Sequence, residues 1–336
     1  MLSNEINIIA DIGGTNMRVA QINEQGDIVN ITIYTCADFA GLADVLANFI
    51  SAQQLENQHI NACLAIACPV DKDLIVMTNL PWQFSMTELK AQLGLSELVL
   101  INDFTAIAHA IPQLSAQQKV QVGNGNVIEN KPISICGPGT GLGVANLISI
   151  NSAWHSLSGE GGHVDFAPID QQEIAILNFL LTKYAHVSYE QLLSGLGIEQ
   201  IYQALSYTKN GIASQLSAKE ITASALSKSN PLAVETLAQF CRILGSFAGN
   251  LALTLGSYGG MYIAGGIVPR FIEFFTESEF RKRFDEKGRL SSFNHPIATF
   301  IVTEEQPGLL GASAYLKQFM SEKNTTYNTT YQTTNS

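Results

Sequence analysis

Charge is sparse in this chain, and basic charge most of all. Lys and Arg number 18 against 29 Asp and Glu, a formal net charge of −11, and no basic block interrupts the excess. That balance argues against nucleic-acid binding. A polyanionic ligand stays possible, because a local nest of backbone N–H groups holds phosphate whatever the global charge. Cysteine is also thin. Cys36, Cys63, Cys68, Cys136 and Cys241 are odd in number, scattered, and without CxxC or zinc-ligand spacing. Several lie in apolar, strand-like runs, so reduced, buried, structural thiols are expected, and with them a cytoplasmic chain. No N-terminal basic-apolar-small signal and no apolar run of about 18 residues is present, which predicts a soluble protein with no membrane association.

What remains is apolar. With 46% hydrophobic and 14% charged residues over 336 positions, the composition fits large buried cores, and the length fits two domains. The run Leu98–Ile101 reads as a buried strand that stops at Asn102-Asp103, with a helical pattern after it. In open α/β sheets, ligands bind beyond the carboxyl ends of strands. An Asn-Asp pair there can grip hydroxyl groups, and the Asp can take a proton. Taken alone, the pair is also an Asx cap on the following helix.

Three glycine-rich turns punctuate the chain. Ile6–Ile12 reads as a strand, followed by Gly13-Gly14-Thr15 and a second strand Val19–Ile22, then a third over Ile28–Thr35. A helix does not follow the first turn, which argues against a dinucleotide-binding unit. Two glycines let a phosphate approach the backbone, and Thr15 can donate to it. Asp11 could hold Mg²⁺ through water. A second strand-turn-strand unit surrounds Gly137-Pro138-Gly139-Thr140-Gly141-Leu142-Gly143, between strands at Pro132–Cys136 and Val144–Ile150. Two such loops in one chain are more specific than one, and point to a phosphate chain held by both. The third unit, Gly259 to Pro269, carries Gly265-Gly266 before a helix, with room for a flat base or ribose.

Between them lies Ser158-Gly-Glu160-Gly-Gly-His163-Val-Asp-Phe166. Glycines separate Glu160 from His163 and let both turn toward one ligand; with no second His or Cys at ligand spacing, hydroxyl recognition fits better than metal. Helices are expected over 41–51, after Ser85 (a capping box with Glu88), over 174–184, from a cap at Ser188 with Glu190 in its first turn, and over 198–205, 218–226, 232–255 and 308–319. Gly245 and Gly249 permit close packing in the longest of these. The Asn-Thr-Tyr-rich tail, 322–336, is expected to be disordered.

The ordered set Asp11-Ile-Gly-Gly-Thr-Asn-Met-Arg18, Ile101-Asn-Asp-Phe-Thr-Ala106, Gly137–Gly143, Gly159-Glu-Gly-Gly-His-Val-Asp-Phe-Ala-Pro168 and Ala264-Gly-Gly-Ile-Val-Pro269 closely resembles the bacterial ATP-dependent glucokinases. The resemblance covers roughly residues 5–318. It implies a two-domain actin-like ATPase (ribonuclease H-like) α/β fold with a cleft between domains. The small domain would be 1–112 plus the C-terminal helix, about 303–320, and the large domain 113–302. The His/Cys-rich zinc motif of the repressor–ORF–kinase sugar kinases is missing, so the chain looks like the group without zinc. By position, Asp103 matches the base that takes the sugar 6-hydroxyl proton. Asn102, Glu160, His163 and Glu190, with Asn79 of the Thr78–Trp82 loop, match the hydroxyl-binding set. Asp11, Ile12, Gly13, Gly14 and Thr15, with Gly139, Thr140 and Gly141, match the phosphate loops, and Gly265 and Gly266 the adenosine loop. ATP, Mg²⁺, D-glucose and a homodimer are implied in the same way, and domain closure on the sugar is expected. Pro138, where a small residue is usual, and Leu196, where Pro is usual, depart from the pattern in ways that alter loop stiffness more than chemistry. A kinase for another hexose, a non-catalytic sugar sensor and a sugar-independent ATPase are the competing readings. The sensor would carry a DNA-binding extension or a degraded Asp103, and the ATPase would leave Glu160, His163 and Glu190 unexplained.

Overall fold

The segment His59–Ile66 is apolar along both faces, and every residue after His59 is buried. A strand of that kind belongs inside a sheet, between parallel neighbours. The computed structural model describes residues 5–334, with side chains through 325, and places this strand at such a position. The chain divides into two units, one running to Leu114 and resuming at Glu305, the other Ser115–Glu304.

The first unit contains β1 (Glu5–Ile12), β2 (Asn16–Ile22), β3 (Ile28–Thr35), α1 (Leu42–Ala52), β4 (His59–Ile66), the small hairpin β5 (Leu74–Val76) and β6 (Gln83–Ser85), α2 (Met86–Gln92), β7 (Glu97–Asn102) and α3 (Asp103–Ala110). Its main sheet has the order β3-β2-β1-β4-β7. The first three strands are antiparallel neighbours, and β4 and β7 join in parallel. One side of the sheet is covered by α1, through Leu42, Val45, Leu46 and Phe49. The other side meets the C-terminal helix, Pro307–Thr334, through Leu309, Ala312 and Leu316. That helix also lies backbone-to-backbone on α3: a Cβ on Gly311 would sit 1.6 Å from the Ala106 carbonyl oxygen.

The second unit contains β8 (Lys119–Gln121), β9 (Ile133–Pro138), β10 (Leu142–Ile150), β11 (Ala153–Ser158), α4 (Gln171–Leu181), α5 (Gly195–Asn210), α6 (Ala218–Leu226), α7 (Pro231–Leu255), β12 (Met261–Ile263), α8 (Ile272–Glu277), α9 (Phe280–Asp285), α10 (Ser291–Asn294) and β13 (Thr299–Val302). Its sheet order is β11-β10-β9-β12-β13-β8. Leaving out β8, this repeats the plan of the first sheet: three antiparallel strands, then two parallel ones. Each glycine turn at 13–15 and 139–141 therefore joins the first and second strand of its own sheet.

Gly245 and Gly249 admit α9 onto α7, where Cβ atoms would meet the carbonyl oxygens of Phe280 and Phe284 at 2.3 and 2.6 Å. Beside this contact is an ion pair invisible in the sequence pattern. Arg283, 3% exposed, donates to Glu173, 1% exposed, at 2.7 Å. Ser246 and Gln239 of α7, the Ile169 N–H and, at 3.5 Å, the Asp170 carboxylate join the network.

Four local expectations differ from the structure. The cap at Ser188 opens a single 3-10 turn, Tyr189–Gln191, and not a longer helix. Ser194 starts a new helix six residues later, its Oγ accepting from the Gly197 N–H, so the chain is re-nucleated there. At Ser85 only half of the capping box forms: its Oγ accepts from the Glu88 N–H and donates to Asp73. After Gly265-Gly266 comes a 3-10 segment, Val268–Phe271, before α8. The stretch expected to be disordered from 322 continues the C-terminal helix through Thr334. Gln318 donates to Glu322 one turn on, and Lys323 pairs with Glu97 of β7, which carries the helix beyond its packed part. Ser336 and its neighbour lie outside the described residues.

Candidate active site

In the first unit the groups collect at the carboxyl ends of β1 and β7. β7 ends at Asn102, whose Oδ1 accepts from the Phe104 and Thr105 N–H groups at 2.9 and 3.3 Å and caps α3. The Asx cap open on sequence grounds is thus made by Asn102. Asp103, the first residue of α3, accepts from the Phe104 N–H at 2.9 Å. Burial, with help from the Asp11 carboxylate, pushes its pKa up to about 6, against hydrogen bonds from backbone N–H groups and the Asn102 side chain. Asp103 therefore remains largely ionised at neutral pH but is far more basic than an ordinary aspartate, as suits a general base. Buried Cys68 feels the same charge, which adds to burial in raising its thiol pKa.

Asp11 stands opposite Arg18 in the β1–β2 pair, 3.6 Å from its guanidinium. Burial raises its pKa and Arg18 opposes the rise. The start of the C-terminal helix closes on it: a Cβ on Gly308 would lie 2.7 Å from the Asp11 Cγ. Between β1 and β2 the Gly13 N–H closes the turn on the Asn16 carbonyl at 3.0 Å, and the Cys36 N–H ties the Thr15 carbonyl. Ile12 is buried beneath the loop. Gly14 lies under Asn79, with only 3.0 Å from an added Cβ to the Asn79 Cβ.

In the second unit the groups collect at the β9–β10 turn. Glu190 accepts from the Leu142 N–H at 2.9 Å through Oε2. Its Oε1 is 3.8 Å from His163 Nε2, within the range of an ion pair but beyond a hydrogen bond. Glu160 precedes and His163 ends a 3-10 turn, Gly161–His163, in which the His163 N–H donates to the Glu160 carbonyl. The glycines between them have a packing reason too. An added Cβ on Gly162 would sit 2.1 Å from the Leu142 carbonyl, and one on Gly161 3.0 Å from Val144. The Gly139 carbonyl accepts from the Gly195 N–H, and the Pro138 carbonyl from the Ile267 N–H, so the 139–141 turn is held from α5 and from the Gly265-Gly266 segment.

The glycines fit a nucleotide. A Cβ on Gly266 meets nothing within 4 Å, and one on Gly139 only the Gly141 oxygen at 4.0 Å, so packing within the protein does not require glycine at either position. Gly265 is different: its φ of +81° and a 2.5 Å approach to the Pro138 oxygen demand glycine. Among the described residues no group of three or more His, Cys, Asp or Glu could cage a metal ion. A lone carboxylate such as Asp11 matches Mg²⁺, which keeps most of its waters and binds through one or two carboxylates plus substrate phosphates. Sequence reasoning gave no role to Gly308 and Gly311. Their three-residue spacing at the start of a helix is a near relative of the four-residue spacing that was legible at Gly245 and Gly249.

Comparison with known proteins gives this arrangement its context. The Glucokinase family model matches residues 8–319. A glucokinase of Colwellia psychrerythraea is 57% identical over 318 residues, covering 93% of this chain and 96% of its own. The crystal structure of a glucokinase from an Antarctic psychrotroph superposes with a TM-score of 0.86 at 37% identity, over 93% and 98% of the two chains. A glucokinase from Balamuthia mandrillaris, solved with glucose, shares the fold at a TM-score of 0.72 and 20% identity, over 93% of each chain. Their fold is the two-domain actin-like ATPase architecture. With nearly its whole length matched, the chain belongs to the glucokinase family of ATP-dependent hexose kinases.

Proposed function

We propose that Asp103 is the general base in transfer of the γ-phosphoryl group of MgATP to the 6-hydroxyl of D-glucose. The observation that carries this assignment is the place of the carboxylate, at the first position of α3 just beyond the end of β7, where burial pushes its pKa up to about 6. It takes the hydroxyl proton as the oxygen attacks phosphorus, a contribution of typically 10²–10⁴-fold. Most of the remaining acceleration in such reactions is positioning and charge stabilisation.

The other roles follow from chemistry. Asn102 spends its amide oxygen on the α3 cap, so it serves the sugar as an N–H donor. Asn79, Glu160, His163 and Glu190 supply further hydroxyl contacts, the carboxylates as acceptors and His163 as either. Asp11, Ile12, Gly13, Gly14 and Thr15, and Gly139, Thr140 and Gly141, cradle phosphates, and Gly265 and Gly266 lie against the adenosine. Asp11 would hold Mg²⁺ through water, and the ion would supply neutralising charge to the phosphates. The two units correspond in this reading to the small and large domains of the family. A cytoplasmic homodimer belongs to the same proposal. Five buried, unpaired cysteines suit a reducing compartment, and no described helix is long and apolar enough to cross a membrane.

The test is ADP release from MgATP with glucose, with no sugar, and with fructose, mannose and N-acetylglucosamine. Release driven by glucose above the others supports the reading. Equal release without sugar would make the protein an ATPase. Release with another sugar alone would keep Asp103 and change the substrate.

A further inference from the structure

Glu190 divides its carboxylate between two neighbours. Oε2 holds the Leu142 N–H, the amide just after the 139–141 phosphate turn, while Oε1 faces His163 in the hydroxyl-binding group. The contact with the turn is close: an added Cβ on Gly141 would lie 2.5 Å from Oε2, so a side chain at 141 would push this carboxylate aside. The same segment holds the turn a second time, through the Gly195 N–H on the Gly139 carbonyl. The first unit repeats the motif, with Gly14 of its own phosphate turn pressed against Asn79.

We propose that Glu190 is a positioning residue for the nucleotide as well as a sugar ligand, so that hexose and nucleotide binding are coupled through its side chain. The inference rests on the reading of Glu190 as a sugar ligand and adds its second role. The physical reason is positional. A charge-assisted hydrogen bond from the Leu142 N–H to Oε2 steadies the end of the phosphate turn. A sugar hydroxyl donating to Oε1 locks the rotamer that keeps Oε2 on Leu142. Hexose then favours nucleotide, and by linkage nucleotide favours hexose by the same factor.

The test uses calorimetry on the full chain with one ligand at a time: glucose without nucleotide, and MgADP without sugar. Gly141→Ala displaces the Glu190 carboxylate and lowers glucose affinity about tenfold, although Gly141 belongs to the phosphate turn. Glu190→Ala lowers MgADP affinity about tenfold with no sugar present. Glu190→Gln keeps an acceptor oxygen for Leu142 and restores MgADP affinity to within about threefold of wild type, a rescue that general loosening of the fold would not give. If Gly141→Ala leaves glucose affinity unchanged, the coupling is refuted and the sugar assignment survives. If Glu190→Ala leaves glucose affinity unchanged, the sugar assignment itself fails. Should Glu190→Ala not fold, Gly141→Ala decides alone.

Discussion

Replacing Asp103 by Asn should strengthen the fold above neutral pH while disabling the enzyme. Asp103 titrates near pH 6 in the folded protein, up from 3.8, chiefly because it is buried. A rise of about 2 units corresponds to about 3 kcal/mol at 1.36 kcal/mol per unit. The sign follows from proton linkage. Below about pH 4 the carboxyl is protonated whether folded or unfolded, and it costs nothing. As pH climbs through 6, the folded state must ionise a group the unfolded chain ionises more easily, and stability falls. Asn keeps the shape and an acceptor oxygen for the Phe104 N–H but carries no charge. Thermal unfolding of Asp103→Asn should therefore show a higher midpoint at about pH 8, by up to roughly 10 °C for the full 3 kcal/mol. The advantage should shrink steadily as pH falls from 6 toward 4. A variant no more stable than wild type at about pH 8 would refute the argument that burial strains this carboxylate.

Further outcomes follow from the same geometry. The rate at low glucose, kcat/KM, should fall about tenfold per pH unit below about 6 as Asp103 is protonated, and a profile flat down to pH 5 would contradict it. Gly311→Ala puts a methyl group into the Ala106 carbonyl and must shift α3, so urea unfolding should show a loss of at least about 2 kcal/mol together with reduced kcat. Arg283→Met strands the buried Glu173 carboxylate and should cost about 3–5 kcal/mol by denaturant titration, whereas Arg283→Met with Glu173→Leu should recover much of that loss.

How far the sequence foretold this molecule can be seen at particular residues. Ile28–Thr35 and Ala218–Leu226 were legible to the residue, because apolar periodicity and polar turns agree there. The end of β7 at Asn102 was legible because a buried run stops abruptly at two polar groups. Signals were lost where long-range contacts decide. Nothing local shows that Ser194 will restart the chain after Ser188, or that Asp73 will occupy the Ser85 hydroxyl. The Arg283–Glu173 pair joins positions 110 apart, so no window of sequence contains it. The polar tail had no core-forming pattern, yet helix propagates from a packed start, and Lys323 finds Glu97 on a strand far back in the chain. At the site, glycine-rich turns declared themselves, but the side chains that crowd them, Glu190 at Gly141 and Asn79 at Gly14, required coordinates.

The central claim is that Asp103 takes the proton. Its most direct test is Asp103→Asn at saturating glucose and MgATP, with glucose affinity measured separately by calorimetry. The account predicts kcat lower by at least about 10²-fold and glucose affinity within a few-fold of wild type. Near-normal turnover would contradict it, and so would a loss confined to glucose affinity, since that would make Asp103 a binding group and leave the proton to another residue.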